Sequence, residues 1–275
     1  MSRDDRTTRI RIIGDHSDYH CGSAAAYQSI LAACRLSGCV VGEESDYDVL
    51  VVNGEGSMHH DSPSCRRKLA EIGAATARGK RVQLVNTVWQ ENSAAAAEVL
   101  RSCERVVVRE VLSQQELERS GVCSEVMIDQ SFFLPIDVAS PVVDFGGDIV
   151  LTDFFSRDLG TFAKVTTQWT WSVPYIQMHE WTWSSLVRSL PSAKVLVTGR
   201  HHAMYAACRA RVPFLVLKGN THKIEGLLAS SGVEIPVFQT YPELRQALRS
   251  NAWKQYDFAA LFDWMEAQQP WRLNT

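Results

Sequence analysis

The sequence predicts an α/β fold of two halves, each a mostly parallel sheet with helical crossovers, and three observations carry that prediction. Short β-branched runs alternate with longer Ala- and Leu-bearing segments through most of the 275 residues, the pattern of strands joined by crossover helices. An irregular stretch over 135–147, with two prolines and two glycines, interrupts the alternation and places a boundary there. Polar motifs recur just past the ends of the apolar runs, where loops and helix starts of an open parallel sheet converge on a ligand. The length suffices for one large domain or two of ordinary size.

The elements follow in order. A strand over 10–13 is broken by Gly14 and Asp15, and a helix spans 23–37. A strand over 49–52 ends in the turn Asn53 to Ser57, and a helix over 64–78 leads through Gly79 to a strand over 82–85. A helix over 93–102, a strand over 106–108, a helix over 113–120 closed by Gly121, and a strand over 125–128 ending at Asp129 complete the first half. The second half begins with a strand over 149–152 and passes an aromatic segment holding Trp169, Trp171, Trp181 and Trp183. Strands over 194–197, 214–217 and 236–238 alternate with helices over 202–210 and 222–230, and helices over 242–249 and 258–268 close the chain. The domains expected are residues 1–140, the acceptor side, and 141–275, the donor or anion side. No repeat of 20 to 50 residues stands out.

Bulk properties exclude several functions. The net charge is −3 and the arginines are scattered, so no basic groove for nucleic acid is expected. Seven cysteines without a CxxC pair form no disulfide framework and read as small core residues in a reducing cytosol. The polar start of the chain carries no secretory stretch, and no apolar run reaches the ~20 residues that span a bilayer. A cytoplasmic protein without a transmembrane segment is expected.

The most pronounced motif is Thr198, Gly199, Arg200, His201, His202, Ala203, which joins a strand to a helix. Free backbone N–H groups at that helix start, a guanidinium and imidazoles make a cradle for phosphate or carboxylate. Lys218, Asn220 and Lys223 follow the next strand and extend it. In Asn53, Gly54, Glu55, Gly56, Ser57 a carboxylate stands between two glycines, so Glu55 is a candidate acid or base or, alternatively, a cap or an ion-pair partner. Asp129 is a candidate base, with an N-cap as the alternative, and His202 a candidate acid. The first loop, with Asp15, Tyr19, His20 and Ser23, is the candidate acceptor site, joined by Asn53. His59, His60 and Asp61 resemble a metal cluster, but adjacent histidines rarely both ligate and no metal is expected. The GxGxxG pattern is absent, so a nicotinamide or flavin site is disfavoured; the GxSxG and P-loop patterns are absent too, and no cofactor is expected. The tryptophans are either core or a sugar-stacking platform.

Taken together these motifs resemble the polysaccharide pyruvyl transferase family. The resemblance rests on Tyr19 to Ser23, on Asn53 to Ser57, on Arg109, Glu110 and Ser113, on Asp129, and on Arg200 to Ala203 followed by Pro213 and Lys223. It implies two Rossmann-like halves in a GT-B-like arrangement, and an enzyme of cell-surface polysaccharide biosynthesis that moves pyruvate from phosphoenolpyruvate to a sugar as a ketal. Glu55 stands where the family usually has glycine, and the chain is shorter than many members. A glycosyltransferase using a nucleotide-activated, for instance CMP-linked acidic, sugar therefore stays open, as does a non-catalytic sugar-binding relative. The partners implied are a small anionic donor and a glycan acceptor.

Overall fold

The computed structural model describes residues 7–42, 46–153 and 173–273. Its contacts divide the chain into two compact units, residues 1–15, 26–130 and 269–275 in one and 16–25 and 131–268 in the other. The change-over after residue 130 precedes the irregular stretch over 135–147, and the first loop and the last residues each join the unit that their sequence position does not suggest.

In the first unit, β1 (Arg9–Ile13), β2 (Val40–Val41), β3 (Val49–Glu55), β4 (Arg81–Thr87), β5 (Arg105–Val108) and β6 (Glu125–Val126) form one parallel sheet in the order β2-β1-β3-β4-β5-β6. Its helices are α1 (Cys21–Leu36, whose first turn belongs to the other unit), α2 (Pro63–Ala77), α3 (Ala94–Leu100) and α4 (Val111–Arg119). Side chains of a strand alternate between faces, and here Leu50 and Val52 join one apolar cluster while Val49 and Val51 join the other. Both faces of β3 are covered, which is why it reads as a continuous apolar run. Trp271 and Leu273, from the end of the chain, complete the second cluster. Local chemistry sets the helix starts: Ser62 accepts from Cys65 N–H ahead of Pro63, and the Glu110 carboxylate accepts from Leu112 and Ser113 N–H.

In the second unit, β7 (Ile149–Thr152), β8 (Tyr175–Ile176), β9 (Val195–Thr198), β10 (Phe214–Leu217) and β11 (Val237–Phe238) form a parallel sheet in the order β11-β10-β9-β7-β8. Read from its own first strand this is 2-1-3-4-5, the order that β1 to β5 also follow, so the two units repeat a topology without repeating a sequence. Helices α5 (Trp183–Ser189), α6 (His201–Ala210), α7 (Lys223–Ser231), α8 (Tyr241–Arg249) and α9 (Phe258–Glu266) surround it. Val195, Val197, Leu215 and Leu217 pack with Leu244, Ala247 and Leu248 of α8. On α9, Phe258 lies edge-on to Phe214 of β10 at 5.0 Å. Within the aromatic segment Trp183 starts α5 and is buried, and Trp181 meets Phe145 at 6.0 Å; Trp169 and Trp171 lie outside the described residues. The cysteines are all free thiols; five are buried, Cys103 is partly covered and Cys123 is exposed. No helix among the described residues is long and apolar enough to cross a membrane.

Candidate active site

In a sheet of this order the carboxyl ends of the first and third strands diverge, and loops there border a crevice. In the second unit those strands are β7 and β9. Asp153 follows β7 and Arg200 follows β9, and the two meet: Arg200 Nε donates to Asp153 Oδ2 at 2.9 Å and Nη2 donates to the same oxygen. The Thr198 hydroxyl positions this loop, since it is 2.5 Å from the Thr152 hydroxyl and accepts from Arg200 N–H at 2.9 Å. Arg200 Nη1 also donates to the Tyr19 hydroxyl, and its guanidinium lies 5.2 Å from the Tyr19 ring centre. Tyr19, His20, Asp153, Tyr175, Gln177, Met178, His179 and Arg200 line a cavity of about 250 Å³, small for a ligand pocket and suited to a small substrate.

His20 joins this cavity to the helix behind it. It stands just ahead of α1, and its Nδ1 accepts the Ser23 N–H at 3.2 Å, an imidazole acting as the helix cap and thereby fixed with its proton on Nε2. Burial, reinforced by the charges of His202, Arg200 and Lys223, drives its pKa down to about 2, so it is neutral throughout the physiological range. His202 meets the His20 ring edge-on at 5.0 Å and His201 packs 4.5 Å from Tyr205. The approach leaves no room for a side chain at position 22: a Cβ on Gly22 would fall 2.3 Å from His202 Cβ.

The loop after β10 carries the other cations. Lys223 Nζ donates to Asn220 Oδ1 at 2.9 Å. The Glu225 carboxyl, in the first turn of α7, is raised above its usual range by burial, which the charges of His222, Lys218 and Lys223 offset only in part.

In the first unit the equivalent strand ends carry a closed polar network. The Asn53 amide donates to Gly14 O at 2.9 Å, Asn86 Nδ2 donates to Asn53 Oδ1 at 3.1 Å, and Asn86 Oδ1 accepts from Gln130 N–H. Lys68 of α2, 6% exposed, donates from Nζ to Asn53 O, Gly54 O and Ser57 Oγ at 2.6, 3.0 and 2.7 Å. Burial lowers the Lys68 pKa to about 8, against the opposing pull of Glu55. Glu55, expected in a turn, is the last residue of β3, paired with Thr87 of β4, with φ at +45° and 6% exposed. Asp129 is wholly buried and accepts from Arg109 Nη1 at 2.5 Å.

The residues singled out in the sequence therefore separate into two groups. Tyr19, His20, Ser23, Gly199, Arg200, His201, His202, Lys218, Asn220 and Lys223 belong to the second unit, where Tyr19, His20 and Arg200 line one cavity and the charge of Lys223 bears on His20. Asp15, Asn53, Glu55 and Asp129 belong to the first unit, where Asp15 is exposed and the others are buried. Arg109, quoted only as part of a pattern, is the partner of Asp129, and Glu110 caps α4. His59 and His60 contact each other through Nδ1 at 2.6 Å, while the Asp61 carboxylate accepts from Ser93 N–H. Asp153, Lys68 and the segment from Tyr175 to His179 were not singled out. For Asp153 the signal was present, a carboxylate directly after an apolar strand, as at Asp129. Lys68 falls on the Cys65, Leu69, Ile72 face of its helix, so its spacing marks it as inward.

Comparison with known proteins gives the family and the fold. A family model described as polysaccharide pyruvyl transferase matches residues 2–220. A comparison with curated proteins found no match. Among solved structures, an uncharacterized protein from Klebsiella pneumoniae subsp. pneumoniae is 14% identical with a TM-score of 0.58, over 86% of this chain and 91% of that one. A protein of Listeria monocytogenes described as a UDP-N-acetylglucosamine 2-epimerase is 10% identical with a TM-score of 0.60, over 96% and 91%. The S. aureus MnaA–UDP co-structure is 11% identical with a TM-score of 0.55, over 98% and 93%. Likeness at this level of identity is likeness of fold, and it agrees with the two Rossmann-like, parallel α/β halves that the sequence predicts.

Proposed function

The chain belongs to the polysaccharide pyruvyl transferase family, and from that premise we propose that it transfers pyruvate from phosphoenolpyruvate to a sugar of a cell-surface glycan, forming a ketal. One observation carries the reading: residues assigned from sequence to the acceptor, Tyr19 and His20, and to the donor, Arg200, line a single cavity of about 250 Å³. The guanidinium and the start of α6 suit the donor carboxylate and phosphate. Aromatic faces of Tyr19 and Tyr175 and the amide of Gln177 suit a sugar. His202, at the first turn of α6, is the acid assigned to the donor methylene carbon, and Lys223 lends positive charge. Glu55 and Asp129, both in the first unit, stay assigned as further acid and base, Glu55 for its place between two glycines at a strand end and Asp129 on the family pattern. The reaction takes place in the cytoplasm in this reading.

The test is release of phosphate from phosphoenolpyruvate in the presence of candidate glycans. Acceptor-dependent release is expected, falling about 10²- to 10³-fold in Arg200→Ala, the usual cost of removing one preorganised charge-stabilising donor. A thermal stabilisation by CMP- or UDP-linked sugars with none by phosphoenolpyruvate would instead favour a glycosyltransferase, the reading that Glu55 at a customary glycine position supports.

A further inference from the structure

Arg200 presents its forked edge, the Nε and Nη2 pair that matches a carboxylate or phosphate, to Asp153 Oδ2. Its remaining terminal nitrogen is engaged by Tyr19. An anionic donor reaching Arg200 by its fork therefore has to take the place of Asp153. Both side chains line the cavity and keep a sixth or so of their surface exposed, 16% for Arg200 and 17% for Asp153, so the exchange needs no opening of the core. The carboxylate so released stays in the cavity beside Tyr19, Tyr175 and Gln177, the groups that suit a sugar. A carboxylate no longer engaged by the guanidinium has its lone pairs open to a hydroxyl donor.

We propose that Asp153 is the resident counter-ion of Arg200, displaced by the donor anion, and that the displaced carboxylate then takes the proton of the attacking sugar hydroxyl. The inference rests on the reading above and assigns it a catalytic residue. As the hydroxyl oxygen bonds to the central carbon of phosphoenolpyruvate, its proton passes to Asp153 and the carbon–carbon double bond takes up a proton at the methylene. The second hydroxyl then bonds to the same carbon as the bond to phosphate breaks. Of the two hydroxyl protons, one ends on the new methyl group and one leaves with phosphate, so no oxidant or further reactant is needed. Coupling donor binding to release of the base also ties proton abstraction to the presence of the donor.

The experiment measures calorimetric binding of phosphoenolpyruvate and of inorganic phosphate to the full chain and to its Asp153→Asn and Asp153→Glu variants, together with kcat and KM for transfer. In Asp153→Asn the competing charge is gone, so anion affinity rises by about tenfold, which corresponds to ~1.4 kcal/mol, while kcat falls by about 10²- to 10⁴-fold with loss of the base. Asp153→Glu keeps the charge and holds anion affinity near that of the parent, which separates counter-ion exchange from general loosening of the loop. Equal or weaker anion binding in Asp153→Asn overturns the inference and leaves pyruvyl transfer intact. Tighter binding of inorganic phosphate in that variant, with no binding of phosphoenolpyruvate by any form, supports the counter-ion role and overturns pyruvyl transfer and the base role with it.

Discussion

The two sheets share a strand order, and the ends of their first and third strands have been put to different uses. At the carboxyl ends of β1 and β3 stand Gly14 and Asn53, which hydrogen-bond to each other and, through Asn86, to Gln130, with the Lys68 ammonium group bound to the Asn53 carbonyl. After β7 and β9 it places Asp153 and Arg200, a charged pair beside a cavity. Within each unit the polar groups of one crevice are engaged mainly with protein, while those of the other also border open volume. The lesson is that a strand-end motif marks where polar side chains gather and leaves open whether they serve a ligand or the fold.

The largest effect expected from breaking this contrast is at the ion pairs. Arg109→Met removes the guanidinium that the wholly buried Asp129 accepts from, a loss of about 3 to 5 kcal/mol. Arg200→Met breaks a pair that water reaches, at a cost of about 1 kcal/mol or less. Chemical denaturation of both variants checks this, with the first unit followed separately if the two melt apart. Equal losses would mean that the second pair is as structural as the first.

The glycines give a smaller and more local contrast. A Cβ on Gly54 would lie 2.2 Å from Thr87 Oγ1, and one on Gly22 would lie 2.3 Å from His202 Cβ. Either alanine substitution overpacks a buried contact, at about 1 to 3 kcal/mol. Only Gly22→Ala is expected also to weaken anion binding at the cavity, because it displaces the start of α6. Differential scanning fluorimetry with and without ligand separates the two outcomes.

Much of this was legible in the sequence, for identifiable reasons. The strand Phe214–Leu217, a continuous apolar run, and helices with clear punctuation, such as the one after Gly199, emerge within a residue or two of their predicted positions, while β3 starts as expected but runs on through Asn53 and Gly54, expected as a turn, to Glu55. Two-residue strands, Val40–Val41 and Tyr175–Ile176, carry no period to detect, and the Ser-rich helix Trp183–Ser189 lies in a segment dominated by aromatics. For the site, strand ends were readable because they are local in sequence. Pairings were not: Tyr19 and Arg200 lie 181 positions apart, and nothing near either announces the other. Lys68 was overlooked because a lysine on a helix is ordinarily solvated, although its neighbours at 65, 69 and 72 mark it as facing inward.

A last contrast is that of pH, where the two units respond at opposite ends of the scale. His20 binds its proton only near pH 2 in the folded protein against an ordinary 6.5, so between those values the unfolded chain holds more protons and stability falls as pH drops below 6.5. Lys68 loses its proton near pH 8 when folded against an ordinary 10.5, so over that interval the unfolded chain again holds more protons and stability rises with pH. Each group contributes at most about 1.4 kcal/mol per pH unit within its own window. His20→Asn keeps an acceptor for the Ser23 N–H and should remove the slope below pH 6.5 while leaving the alkaline side alone. Lys68→Arg, which stays charged, should remove the rise between pH 8 and 10.5 and leave the acid side alone. Urea midpoints measured from pH 4 to 10.5 in the three proteins decide this. If either variant flattened both limbs, the two polar edges would be coupled rather than independent, and the contrast drawn between them would fail.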